Sequence, residues 1–254
     1  MGLKEAGLRG SLRSVSTGVS AIPDSEADQK LIHRWVLDDV NGVVQDSIGD
    51  ADGTNNGVSS VSGDWAGGSA GDSDGVDDDI LTSTLGNFGS NMDSDFAIAF
   101  SIQTTDGDDK SIINYTDTDD DLRLEIRLGH DEADEGEFWF RIVDSSGRGE
   151  DNEQSVYSAG TSVDDGNKYR IVLNKSGTDS EDVDIWLNQS EISVTNRGNG
   201  NPTDFRNFDN PVPLFARNLN GSVDNRINAI LDDVCFFDNS LTQTEIGSYD
   251  NPWD

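Results

Sequence analysis

Apolar side chains recur at every second position in stretch after stretch of this chain. Leu31, His33, Trp35 and Leu37 alternate with Arg34 and Asp38. Phe96, Ile98, Phe100 and Ile102 interleave with Ala97, Ala99 and Ser101, and Leu122, Leu124, Ile126 and Leu128 with Arg123, Glu125 and Arg127. The same beat runs through Phe138–Ile142, Tyr169–Leu173, Val183–Leu187 and Ile230–Phe236. A period of two sets successive side chains on opposite faces of an extended strand, whereas a helix needs spacings of three and four. Gly, Asp, Asn and Ser clusters such as Asp106–Gly107–Asp108 and Ser146–Gly147 separate the stretches. Strands at hairpin spacing without a long helical pattern predict an all-β sandwich or barrel. One helical turn is predicted at 242–248, with Thr242 as N-cap and Glu245 completing a capping box.

Charge bounds the partners. The 254 residues carry 50 Asp and Glu against 17 Lys and Arg, a net charge of −33. Nucleic-acid binding needs basic side chains that displace counterions from phosphate, so this balance excludes it; an anionic membrane surface is excluded for the same reason. Of the acids 39 are Asp, and only 5 of the bases are Lys. Short hydrated carboxylates and few ammonium stems suit very high salt, where self-repulsion is screened, and the composition reads as that of a halophile. Disorder is the rival for so acidic a chain, but 5 Trp, 10 Phe and 4 Tyr supply a core. One Cys, Cys235, forms no internal disulfide framework. No apolar stretch approaches the roughly 20 residues that span a bilayer. Residues 1–30 lack the apolar segment of a secretory signal, which predicts a protein made in the cytoplasm.

Residues 1–29 read as a separate segment and 30–254 as the sandwich. Within the first 20 residues Lys4, Arg9 and Arg13 face Glu5 alone. A mildly basic arm on an acidic protein is expected to dock on an acidic neighbour: another structural protein of the same particle, or another copy of this chain in a homo-oligomer.

The run from His33 to Asp39, then Gly42 and Asp46 to Thr54, resembles the first strand and loop of the laminin G-like, concanavalin A-like superfamily. Ile230 to Ile246 resembles that family's last strand and the turn after it. Tyr169 to Leu173 followed by Ile185–Trp186–Leu187–Asn188 resembles a paired motif between them. There Lys168–Tyr169 stands for the usual Trp–His, and Gln189 stands where Gly is typical. The resemblance spans about 31–249 and implies an antiparallel two-sheet jelly roll that binds glycans or proteins. It also implies a structural Ca²⁺ between the first loop and the last strand, held by Asp46, Asp50 or Asp52, and Asp232. Independently, Asp-rich loops such as Asp50–Ala51–Asp52–Gly53 and Asp72–Ser73–Asp74–Gly75 offer the oxygen ligands Ca²⁺ takes.

Glycan recognition requires exposed aromatic rings for sugar faces and polar groups for hydroxyls. Trp139 and Trp186 oppose the apolar sets of their strands; Arg141 shares the face of Trp139, and Asp184 and Asn188 that of Trp186. These five are the candidate ligand residues. Glu132 to Glu137 fits a Glu-x-Asp-x-x-Glu glycosidase pattern, but it lies between two strong strands and reads better as a hairpin turn, so no catalytic residue is assigned. The expectation is a non-enzymatic surface protein of a halophilic archaeal system or its virus, such as a decoration or fibre-like adhesin. Residues 1–29 anchor it, and it faces a host glycan or glycoprotein. The alternatives are a free lectin module or a jelly-roll glycosidase.

Overall fold

The computed structural model describes residues 26–248 other than 64, 66–67, 87, 89–91, 93, 117–121, 131–132, 145–152, 178–181, 201, 203–207, 209 and 220. The arm residues Lys4, Arg9 and Arg13 therefore lie outside the described residues, as does Glu132.

Helix α1 (Glu26–Lys30) runs directly into β1 (Leu31–Trp35). There follow β2 (Val43–Val44), β3 (Gly53–Asn56), β4 (Ser59–Ser62), β5 (Ser69–Asp74), β6 (Asp79–Thr82), β7 (Phe96–Thr104), β8 (Lys110–Thr116) and β9 (Arg123–Leu128). Next come β10 (Glu137–Val143), β11 (Glu153–Ser162), β12 (Lys168–Lys175), β13 (Val183–Leu187), β14 (Ser190–Ile192) and β15 (Val194–Asn199). The last strands are β16 (Pro213–Leu214), β17 (Ala216–Leu219), β18 (Ser222–Asp224) and β19 (Asn228–Phe237), before α2 (Gln243–Ser248).

Two sheets form an antiparallel jelly-roll-like sandwich. The 8-stranded sheet has the order β14-β13-β12-β7-β19-β5-β4, with β1 also on β19. The 11-stranded sheet runs β15-β11-β10-β9-β8-β16-β6-β3-β2, with β17 beside β8 and β18 beside β17. Alternation decides which side chains meet between them. Phe96, Ile98, Phe100 and Ile102 of one sheet and Leu124, Ile126, Phe138, Phe140 and Ile142 of the other all enter the main core. Trp35 lies in it as well, edge-on to Phe236 at 5.7 Å.

The opposite pleat of the 8-stranded sheet builds a second apolar cluster. Ala97, Ala99, Val172, Trp186, Cys235 and Phe237 meet Ala27 of α1 and Ile246 of α2 there. The capping box forms: the Glu245 amide donates to Thr242 Oγ1 at 3.3 Å, and the Thr242 amide to Glu245 Oε2 at 2.6 Å. The same carboxylate takes Lys30 Nζ at 2.9 Å, which also donates to the Ser240 carbonyl, so α1 and α2 are tied together.

Candidate ligand-binding face

The outer face of the 11-stranded sheet is the polar half of the alternation that builds the core. Register sets Glu125 opposite Arg141 and Arg127 opposite Trp139 across β9–β10. Asn114 of β8 stands opposite Glu125, and Ser155 and Tyr157 of β11 stand opposite Arg141 and Trp139. Arg217 of β17 lies beside Asn114. Four of the 17 basic residues of a −33 chain thus share one face: Arg123, Arg127, Arg141 and Arg217.

Each arginine is matched. Glu125, 2 % exposed, accepts from Arg123 Nη1 at 3.2 Å and from Arg141 Nη1 at 3.5 Å. Arg141 Nη2 also donates to Glu153 at 2.6 Å, whose second oxygen takes the Ser155 hydroxyl at 2.7 Å. Arg217 and Asp224 form a two-point pair at 2.8 and 2.9 Å. Arg127 donates to Asp109 and to His130 Nε2 at 3.0 Å, which assigns the ring proton to Nδ1, facing Asp109 at 2.7 Å. Burial draws the Arg127 guanidinium below its ordinary value against the pull of Glu125 and Asp109. Burial also acts on Arg141, but Glu125 and Glu153 outweigh it and leave that group raised.

Two loops deliver Asp109 and His130 to this face. The amide of Gly136 donates to Gly107 at 3.0 Å and that of Asp109 to Gly129 at 3.1 Å. Gly129 sits at φ +56° with the Gly107 carbonyl where a Cβ would go, so this approach of β7–β8 and β9–β10 connections demands glycine. Glu137, at the foot of the second loop, accepts the amides of Asp134 and Gly160. It holds a turn.

Several polar atoms of the face are buried without a partner among the described residues: Trp139 Nε1, Arg127 Nε, Arg141 Nε, Asn114 Oδ1 and Thr116 Oγ1. A buried polar group left unpaired costs about 1–3 kcal/mol. Trp139 is 1 % exposed; the Tyr157 ring lies parallel to it at 6.3 Å, and His130 stands edge-on at 5.7 Å.

The expectation of exposed tryptophans is therefore corrected. Both residues leave the main core as the pleat requires, but neither meets open solvent. Trp139 is covered by Tyr157 and His130, and Trp186, 7 % exposed, belongs to the second apolar cluster beneath the helices. They occupy outer faces of different sheets, so Trp139 and Arg141 are not brought together with Asp184, Trp186 and Asn188. Asn188 Oδ1 accepts the Arg170 amide at 2.9 Å and so fastens a hairpin. Asp184 is half-buried, and burial followed by Glu191 and Asp182 pushes its carboxyl up.

The four acids expected to hold Ca²⁺ do not converge. Among the described residues only Asp74, Asp77 and Asp78 bring three carboxylate oxygens within 4.8 Å of one another. Asp46 is turned into its own loop: Oδ1 accepts the amides of Arg34, Ile48 and Gly49, and Oδ2 the Ala51 amide and His33 Nδ1 at 2.6 Å. Burial opposes its charge, yet these donors prevail and hold the carboxyl far below its usual range. Asp52 accepts the Asp46 amide at 2.9 Å, and Asp50 is exposed. Asp232, fully buried, accepts the Leu37 amide at 3.2 Å; burial, then Asp233, pushes it up to about 7.

No protein-family model matches this chain, and no curated protein does. Solved structures share the fold. The binding domain of Paraclostridial Mosquitocidal Protein 1 superposes with a TM-score of 0.62 at 14% identity, over 87% of this chain and 52% of that one. The ligand-binding domain of botulinum neurotoxin serotype D, in complex with N-acetylneuraminic acid, gives 0.59 at 12% identity over 87% and 50%. Domain 4 of AbnA, a GH43 extracellular arabinanase from Geobacillus stearothermophilus, in complex with arabinotriose, gives 0.59 at 12% identity over 85% and 96%. The chain spans about half the length of the toxin binding domains it matches.

Proposed function

We propose that the chain is a non-catalytic recognition module that takes a saccharide or glycoprotein on the outer face of its 11-stranded sheet. The observation that carries this reading is the set of buried, unpaired polar atoms around Trp139, beside an ordered arginine–carboxylate lattice. A surface with no ligand to meet is normally fully hydrogen-bonded or open to water. Structural neighbours solved in complex with N-acetylneuraminic acid and with arabinotriose support it as analogies of fold. The described carboxylates of the face are committed to arginines, which supports binding over hydrolysis.

The reading is tested at Tyr157, the half-exposed ring over Trp139. Tyr157→Ala is expected to weaken binding to a glycan or glycoprotein array by at least about tenfold, with an unchanged circular dichroism spectrum. Unaltered binding removes this face as the site.

A second reading concerns attachment: residues 1–29 fasten the sandwich to a larger surface assembly, cellular or viral, in high salt. It is supported by the basic Lys4, Arg9 and Arg13 in a −33 chain and by the tie of Lys30 to Glu245 and Ser240 at the point where that segment enters the fold.

A further inference from the structure

Three N–H groups on the arginine-rich face find no acceptor among the described residues: Trp139 Nε1, Arg127 Nε and Arg141 Nε. They are neighbours by register. Arg127 stands opposite Trp139 across the strand pair, and Arg141 lies two residues further along the same strand on the same face. The nearby carboxylates are already engaged: Glu125 by Arg123 and Arg141, Glu153 by Arg141 and Ser155, Asp109 by Arg127 and His130, and Asp224 by Arg217. What the cluster lacks is a compact group with several acceptor lone pairs.

We infer that Trp139, Arg127 and Arg141 receive the acid group of an anionic saccharide, a uronate, sulfate or sialate. This rests on the recognition-module reading and names its ligand class. Charge-assisted hydrogen bonds to such a group are strong where water is excluded, and each donor here is buried. The buried Asn114 Oδ1 and Thr116 Oγ1 are open to hydroxyl protons of the same ligand. Of the two half-exposed rings against Trp139, His130 stands edge-on and is the side chain that makes way, while Tyr157 lies parallel to the indole and stays as the stacking surface for the sugar.

The charge of the whole molecule gives the binding a distinctive salt response. At low ionic strength a −33 protein repels an acidic glycan at long range, and salt removes that repulsion while buried contacts are screened much less. Affinity therefore rises with salt, the reverse of a polyanion on a basic patch.

The full chain is applied to an array of uronate-, sulfate- and sialate-bearing glycans with neutral glycans and polyglutamate alongside, in about 0.2 M and about 2 M NaCl. Trp139→Phe keeps a ring and removes the N–H; Arg141→Lys keeps the charge and removes Nε. The expected result is binding confined to the acidic glycans, stronger at the higher salt and reduced about tenfold in either variant that retains the parent's circular dichroism. Equal binding of neutral glycans overturns the acid assignment and leaves the recognition module standing. Binding of polyglutamate alone overturns it in favour of an acidic protein partner. Unchanged affinity in both variants overturns the N–H assignment, and silence across the array overturns the module as well.

Discussion

Two buried aspartates carry opposite pH signatures. Asp46, surrounded by donors, has its carboxyl lowered from 3.8, so its contribution to stability is present above that value and is lost as pH falls towards the folded-state value. Asp232 has its carboxyl raised from 3.8 to about 7. The folded protein then holds a proton that the unfolded chain releases, and Asp232 subtracts stability as pH rises from about 4 to about 7, with no further change above. Asp232→Asn retains an acceptor for the Leu37 amide and carries no charge. Urea unfolding from pH 4 to pH 8.5 is expected to show the variant level with its parent at the acid end and more stable at the alkaline end, by on the order of 3 kcal/mol. A difference that does not change with pH would remove the buried charge as the cause. Neither environment could be read from composition among 39 aspartates. The sequence marks Asp46 and Asp232 as acids near a strand end and within a strand; only the folded loop reveals that one is saturated with amides and the other is shut away from water.

Elements follow the alternation closely where a strand has one apolar face. Strand β9 and strand β10 fall where Leu122–Leu128 and Phe138–Ile142 predict them, and the outward set Arg123, Glu125, Arg127, Trp139 and Arg141 is legible as the other phase. What sequence could not supply is the register between strands. Glu125, Arg127 and Tyr157 escaped notice as candidate site residues because what sets them apart is facing Arg141 and Trp139 across paired strands, which the sequence does not register. The outer phase of the 8-stranded sheet misled for another reason. Two short helices cover it, so Trp186 serves as packing. The β13–β14 hairpin explains one departure from the resembled family. Asn188 and Gln189 adopt φ of +48° and +67°, a left-handed pair in which glycine is favoured at the second position. Gln189→Gly is expected to stabilise the protein by about 0.5–1 kcal/mol in denaturant unfolding, because the strain relieved exceeds the added chain entropy. Destabilisation would show that the glutamine side chain makes contacts that matter more than its backbone.

At the scale of the molecule, the segment before α1 and the arginine-rich face can be separated by truncation. A chain beginning at residue 26 keeps the contacts of Ala27 and Lys30 and is expected to unfold within about 0.5 kcal/mol of the full chain while losing its hold on any larger assembly. A chain beginning at residue 31 also loses those contacts, and should be less stable by about 1–2 kcal/mol. Retention of both truncated forms in the assembly at full occupancy would dismiss residues 1–29 as the fastening. Because α1 and α2 lie over the outer pleat of one sheet and the arginine lattice is the outer pleat of the other, the proposed tether and the proposed guest would pull on opposite flanks. Tension between them would then run through the thickness of the sandwich, and its main core would be the joint that bears the load.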